Sequence, residues 1–233
     1  MSDFNSSGFG NTVATSGSQV RNRVLRNTYA LLALSMVPTV IGAWLGVAMG
    51  FTMFEGSPFM GFIVFMAVAF GFFWAINKNK DNGLGVALLL GFTFFMGIML
   101  SRLVGMTLSS YSNGATLIMA AFGGTAVIFT AMASIATVSK KDFSSLGKFL
   151  FVGVLILIIA SLANIWLQMP ALMLTVMVLA IAIFSAFILV DVQRVVNGGE
   201  TNYIMATLAI YLDVYNVFTN LLALFGIMGG DRE

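Results

Sequence analysis

Cysteine and histidine are both absent from the 233 residues. Without thiols there is no disulfide framework, no thiolate nucleophile and no sulfur-ligated metal. Without imidazole the commonest zinc ligand is missing, and so is the side chain that ordinarily titrates near neutrality. Any response to pH then falls to a carboxyl group in an apolar setting. Charge is nearly as scarce, at 9% of residues against about a quarter in a soluble domain. The net charge of +2 comes from eleven basic and nine acidic side chains. They form no basic face able to neutralise phosphates, so nucleic acid is not an expected partner.

What fills the space is hydrocarbon. The chain is 59% hydrophobic and its mean hydropathy is +0.99. The fold class that follows is an all-α polytopic membrane protein whose first partner is the lipid bilayer. A spanning helix needs about 20 mostly apolar residues, and by that measure there are seven spans. They run over about Thr28–Gly50, Phe59–Asn77, Gly83–Leu103, Ala115–Val138, Leu146–Leu167, Ala171–Val195 and Tyr203–Met228. Residues 1–20, rich in Ser, Asn, Gly and Thr, read as a disordered tail ahead of a transmembrane domain over 21–233. The basic cluster Arg21, Arg23 and Arg26 comes too late, and the run after it is too long, for a secretory leader.

Short loops carry the orientation signal. With the N-terminus cytoplasmic, that side receives Arg21, Arg23, Arg26, Lys78, Lys80, Lys140, Lys141, Lys148 and Arg194, and the other side receives Arg102 and Arg232. The expected topology is N-terminus in, C-terminus out. Arg102 is expected to snorkel to the interface, and Lys140-Lys141-Asp142 to act as a cytoplasmic anchor.

Against this background Asp213 stands out, about ten residues into the last span. A charge at that depth is expensive and usually faces a protein interior or an aqueous path, so it is a functional candidate by default. Asp191 lies near the end of the span before. At 1.5 Å per residue, Asp213 lies about 15 Å in from Tyr203 and Asp191 about 6 Å in from Val195. A re-entrant or unwound 197–202 segment, or unequal tilts, would bring them together. Two like charges in a poorly solvated site do not both ionise freely, so such a pair holds a shared proton, or binds a hard cation transiently through its oxygens. Arg194, three residues after Asp191, is its helical neighbour.

Asn216 and Asn220 fall on the Asp213 stripe. They serve either as a polar lining or, more simply, as interhelical hydrogen-bonding groups. Asn164 reads as another helix–helix contact. Gly61, Gly71, Gly91, Gly97 and the Gly123-Gly124 pair read as sites of close helix packing. No cofactor is expected.

Paired aspartates on successive spans also occur in intramembrane aspartyl proteases of the presenilin type. That family places Tyr before the first acid and Gly-x-Gly before the second, whereas Val190 and Ile210-Tyr211-Leu212 stand here, and Pro170-Ala171-Leu172 is misplaced for its third motif. Retinal binding lacks its Schiff-base lysine in the last span. The chain is not read as an enzyme.

Two stretches match a different family. They are Leu189-Val190-Asp191-Val192-Gln193-Arg194 with Gly198-Gly199-Glu200-Thr201-Asn202-Tyr203-Ile204, and Tyr211-Leu212-Asp213-Val214-Tyr215-Asn216-Val217-Phe218. With Val24-Leu25-Arg26-Asn27-Thr28-Tyr29, Phe122-Gly123-Gly124-Thr125-Ala126, Lys141-Asp142-Phe143-Ser144-Ser145-Leu146-Gly147 and Ala163-Asn164-Ile165, the chain resembles the Bax inhibitor-1 family, in its proteobacterial branch. The resemblance implies a seven-helix fold with the last helix central and wrapped by the other six. It implies a proton-sensitive calcium leak of the bacterial inner membrane, gated by an aspartate pair that maps onto Asp191 and Asp213. Calcium-leak members carry a second-helix arginine that latches the pair. Phe73-Trp74-Ala75-Ile76-Asn77-Lys78 has none, which leaves Lys78 as the stand-in. The same branch implies a second role, modulation of a membrane-anchored AAA protease as partner.

Overall fold

A computed structural model of the chain describes residues 7–51 and 58–229. Among these, the chain forms seven helices and no strand: α1 (Ser7–Ala48), α2 (Pro58–Lys78), α3 (Gly83–Ser110), α4 (Gly114–Val138), α5 (Leu146–Leu167), α6 (Pro170–Val196) and α7 (Tyr203–Gly229). All seven are long and apolar enough to cross a bilayer, the first over Arg21–Ala48. The protein is therefore a multi-pass membrane protein.

Most of the expected ends hold to within a residue or two, and two do not. Helix α3 runs seven residues past Leu103, because Gly105 and Ser109 do not stop a helix whose backbone has no other partner in hydrocarbon. Arg102 therefore sits about two turns inside the helix, not at its end. Helix α1 begins at Ser7, so residues 7–20, expected as a tail without regular structure, extend the first span as helix. Propagating a formed helix adds one hydrogen bond per residue, which a polar stretch can sustain. Residues 1–6 and Arg232 lie outside the described residues.

Pro38 falls inside α1. Around it, Ser35 donates to the Leu31 carbonyl at 2.8 Å and Thr39 to the Ser35 carbonyl at 2.9 Å. Hydroxyls of this kind help a membrane helix accommodate a proline. At the α5–α6 turn, Gln168 adopts a left-handed conformation with φ 50°. Asn164 there accepts from the Met169 amide at 2.9 Å. It caps the turn, where a contact between helices was expected.

Helix α7 touches α1, α2, α3, α4 and α6, while α5 docks on α6 alone. The last helix is thus central, and α5 completes the wrap at one remove. The broadest contact joins α1 to α3, and glycines set its closeness. A Cβ added to Gly97 would overlap the Thr39 carbonyl, and one on Gly42 the Phe94 carbonyl. Gly71 and Gly123, also expected at packing sites, have open space around them.

This contrast makes a test. Gly97→Val should lower the thermal unfolding midpoint in detergent, since overpacking typically costs about 1–3 kcal/mol. Gly71→Ala should hold or raise it, because alanine is about 1 kcal/mol better than glycine in a helix.

Candidate functional site

Helices α6 and α7 lie against each other, and their acids meet. The carboxyl groups of Asp191 and Asp213 lie within hydrogen-bond reach of one another. Asp191 is five residues before the end of α6 and Asp213 ten after the start of α7. That five-residue offset, about 7.5 Å along a helix, is absorbed by unequal helix ends and the reach of two side chains. The 197–202 connection is a short non-helical turn outside both helices, the unwound alternative and not the re-entrant one.

The two acids have different surroundings. Asp213 is 6% exposed, and its Oδ2 is sealed from solvent with no hydrogen-bond partner. Asp191 is 14% exposed at the side chain, and its Oδ1 lies 3.6 Å from Nη1 of Arg194, whose own side chain is 54% exposed. Glu200, in the connection, acts on Asp191 electrostatically. The site thus runs from an exposed guanidinium, through a half-buried carboxyl, to a sealed one. Beyond Asp213 the same side of α7 continues with buried Val217 and Leu221, beside the half-buried Asn216 and Asn220. Two ionised carboxylates have only acceptors, so a hydrogen bond between them requires one proton.

Other residues of the expected site lie elsewhere. Lys78 holds its ammonium 5.0 Å from the centroid of the Trp74 ring, one turn back on the exposed face of α2. Asn216 donates to the Leu212 carbonyl and Asn220 to the Asn216 carbonyl, each at 2.8 Å. Both bonds stay within α7, which corrects the expectation of interhelical bonds: the carbonyl four residues back is nearer than any neighbouring helix. Among the described residues, no group of three or more acids forms a metal cluster. Two carboxylates supply at most four oxygens where calcium takes six to eight, so the pair alone does not complete a calcium shell.

Three features escaped the sequence. Gln193, 3% exposed, donates through Nε2 to the Lys141 carbonyl and accepts at Oε1 from the Phe143 amide, both at 2.7 Å. It ties the α4–α5 connection to the helix that carries Asp191. Asn202 accepts at Oδ1 from the amides of Ile204 and Met205 and donates through Nδ2 to the Lys80 carbonyl and Asp81. That joins the α2–α3 connection to the start of α7. Deeper in, the Tyr211 hydroxyl lies 2.8 Å from Oγ1 of Thr39, whose one proton is shared between the Ser35 carbonyl at 2.9 Å and the Thr93 carbonyl at 3.2 Å. The available signal was an amide or hydroxyl recurring within apolar runs beside the two acids.

In the α4–α5 connection Asp142 accepts from the Ser144 amide at 2.8 Å. The Ser144 bonds hold this exposed carboxyl below the usual carboxylate range. An acid lowered on folding contributes stability above its ordinary value and loses it only as pH falls through the lowered one. The turn therefore persists across the neutral range. Replacing Gln193 should loosen it: Gln193→Ala should speed amide exchange at Phe143 about tenfold, given about 1–3 kcal/mol for a group left unsatisfied. Gln193→Glu, which keeps the acceptor, should show a smaller change.

Comparison with known proteins gives concordant matches. The family profile described as inhibitor of apoptosis-promoting Bax1 covers residues 21–230. A protein of Neisseria meningitidis serogroup A is 36% identical over 213 residues, 91% of this chain and 93% of its own. A Vibrio cholerae membrane protein is 35% identical, over 90% of this chain and 92% of its own. The modulator of FtsH protease of Escherichia coli K12 is 33% identical over the same shares of the two chains.

Proposed function

The chain belongs to the Bax inhibitor-1 family, and from that premise we propose that it is a proton-sensitive cation leak of the inner membrane, with calcium as the ion carried. The observation that carries this reading is the contact between two carboxyls, one of them sealed at depth in a membrane helix. While the pair shares a proton, the hydrogen bond joins α6 to α7 and the apolar face below Asp213 closes the path. When that proton leaves, two adjacent anions repel in a poorly solvated site. The helices part, and the carboxylates become oxygen ligands for an entering cation.

The groups that set the balance are Asp191, Asp213, Arg194 and Glu200. Arg194 neutralises the outer acid, and its exposure leaves it free to swing with the connection. With the basic end of the bundle in the cytoplasm, the pair samples cytoplasmic pH. Asp142 is not part of the response, because its titration lies below the neutral range. Lys78, on Trp74, takes no part as a latch, and the Arg194–Asp191 pair serves in its place. Asn216 and Asn220 line the stripe without bonding across it. No catalytic step is assigned.

The test is calcium flux into vesicles holding the purified protein. An amide at position 213 mimics the protonated acid and cannot lose the proton. Asp213→Asn should therefore cut the flux about ten- to a hundredfold and abolish its pH dependence, matching about 1.5–3 kcal/mol for a hydrogen bond to a charged group. No calcium passage at any pH, or an unchanged profile in Asp213→Asn, would overturn the reading.

A second reading is favoured by the 33% identity to a protein named as a modulator of FtsH protease. On that reading the chain binds a membrane-anchored AAA protease and regulates turnover of membrane proteins without conducting ions. Residues 1–20, ahead of the first span, are the segment such a machine would engage. Their deletion should reduce co-purification with the protease and leave calcium flux untouched. Unchanged co-purification and turnover would remove this reading's support.

A further inference from the structure

On the side of α7 facing away from the acids is a groove of about 830 Å³. Its outer walls are α1, from Tyr29 through Met36 to Val47, and α4 around Phe122. Val214 and Phe218 of α7 form its floor. Among the described residues, the backbones of α1 and α4 do not come into contact. An edge-on ring pair, Tyr29–Phe129 at 6.0 Å, bridges them near one end. The groove therefore opens sideways, between two membrane-spanning helices, at the depth of the hydrocarbon.

Three observations define an occupant. The first is shape. From Tyr29 to Val47 the groove follows α1 for eighteen residues, about 27 Å, a long, straight apolar track that suits an extended hydrocarbon chain lying along the helix. The second is polarity. The hydroxyls that reach the floor are already engaged, Tyr211 with Thr39 and Tyr215 with the Met96 carbonyl at 3.2 Å. The occupant needs no polar group there. The third is charge. Arg26 lies three residues before Tyr29, on the stripe that continues through Ala33, Met36 and Val40, and Arg23 lies one turn farther out; both are exposed.

We propose that this groove is a binding site for one acyl chain of an anionic phospholipid, its phosphate held at the end of α1 by Arg26 with Arg23 beside it. The chain lies along α1 against α7 and fills the gap that α1 and α4 leave open. The proposal does not rest on the leak reading, since the groove and the acids occupy different faces of α7.

The test uses the full chain in vesicles containing mid-chain brominated phosphatidylglycerol or phosphatidylcholine. Trp44, Trp74 and Trp166 are replaced by Phe, and a single fluorophore is introduced by Met36→Trp. Its emission should be quenched preferentially by the brominated phosphatidylglycerol. Arg26→Gln should reduce that preference about fivefold, the effect of about 1 kcal/mol per cation at an anionic surface, and Arg26→Lys should largely restore it. Ile159→Trp, on the exposed face of α5, should show no preference between the lipids. Equal quenching by both lipids at Met36→Trp overturns the proposal. Shielding from both lipids, as a second copy or a partner protein would produce, overturns it too. If Met36→Trp fails to fold, Val40→Trp on the same wall gives the same readout.

Discussion

A carboxyl group at half the depth of a bilayer cannot face lipid, and the arrangement of this bundle follows from that constraint. Hydrocarbon offers Asp213 neither water nor a hydrogen-bond partner, so α7 has to be enclosed by protein. It is the least hydropathic of the seven spans, at 1.5, and it is the one that five other helices contact. Helix α5 has the complementary character. Its hydropathy of 2.6 and 6% burial suit a span that meets lipid almost all round, and it packs on α6 alone. Across the spans burial does not track hydropathy, since α6 is the most apolar span yet a third of it is buried, while the more polar α4 is buried over only 11%; in a membrane the lipid is already an apolar environment.

Enclosure brings its own requirement, that every polar group drawn in has a partner. Tyr211, Thr39 and the Thr93 carbonyl satisfy one another across α7, α1 and α3, and glycines let α1 and α3 come close enough for that. Gln193 and Asn202 do the same at the basic end, where three connections come together. Oδ2 of Asp213 is an exception among buried side-chain atoms. An unsatisfied buried oxygen costs about 1–3 kcal/mol. Oγ1 of Thr28 is also without a partner, but of the two only the carboxyl can change its bonding by gaining or losing a proton.

The spans were legible because each is a run of about 20 apolar residues, and that signal does not depend on neighbours. The acids were legible as anomalies for the same reason: Asp213 breaks a hydrophobic run wherever its helix lies. Their contact was not. Counting 1.5 Å per residue from each helix end assumes level ends, and α6 and α7 are not level. The asparagines misled because an amide can bond to its own helix four residues back, and nothing in the spacing distinguishes that from a bond to a neighbour. Gln193 and Asn202 were hidden because their partners are backbone groups in connections 50 and about 120 residues away. Backbone atoms leave no mark on a sequence.

The two faces of α7 differ in how they could respond to change. On one, Asp213 meets Asp191 of α6, a contact that on the proposed reading holds only while the two carboxyls share a proton. On the other, Tyr211 and Tyr215 are anchored to α1 and α3 by neutral hydroxyls whose bonds do not depend on neutral-range pH. Loss of the shared proton would therefore loosen the α6 side of α7 while leaving its α1–α3 side in place. Helix α5, which touches only α6, would move with it. The division into a fixed unit of α1, α3 and α7 and a movable unit of α5 and α6 follows from where neutral and ionisable bonds lie, and it assigns the glycine contacts to the fixed unit. Helix α4 contacts both α6 and α7, and α1 also reaches α6, so both cross the division; α4 is also the helix whose separation from α1 leaves the lateral groove open.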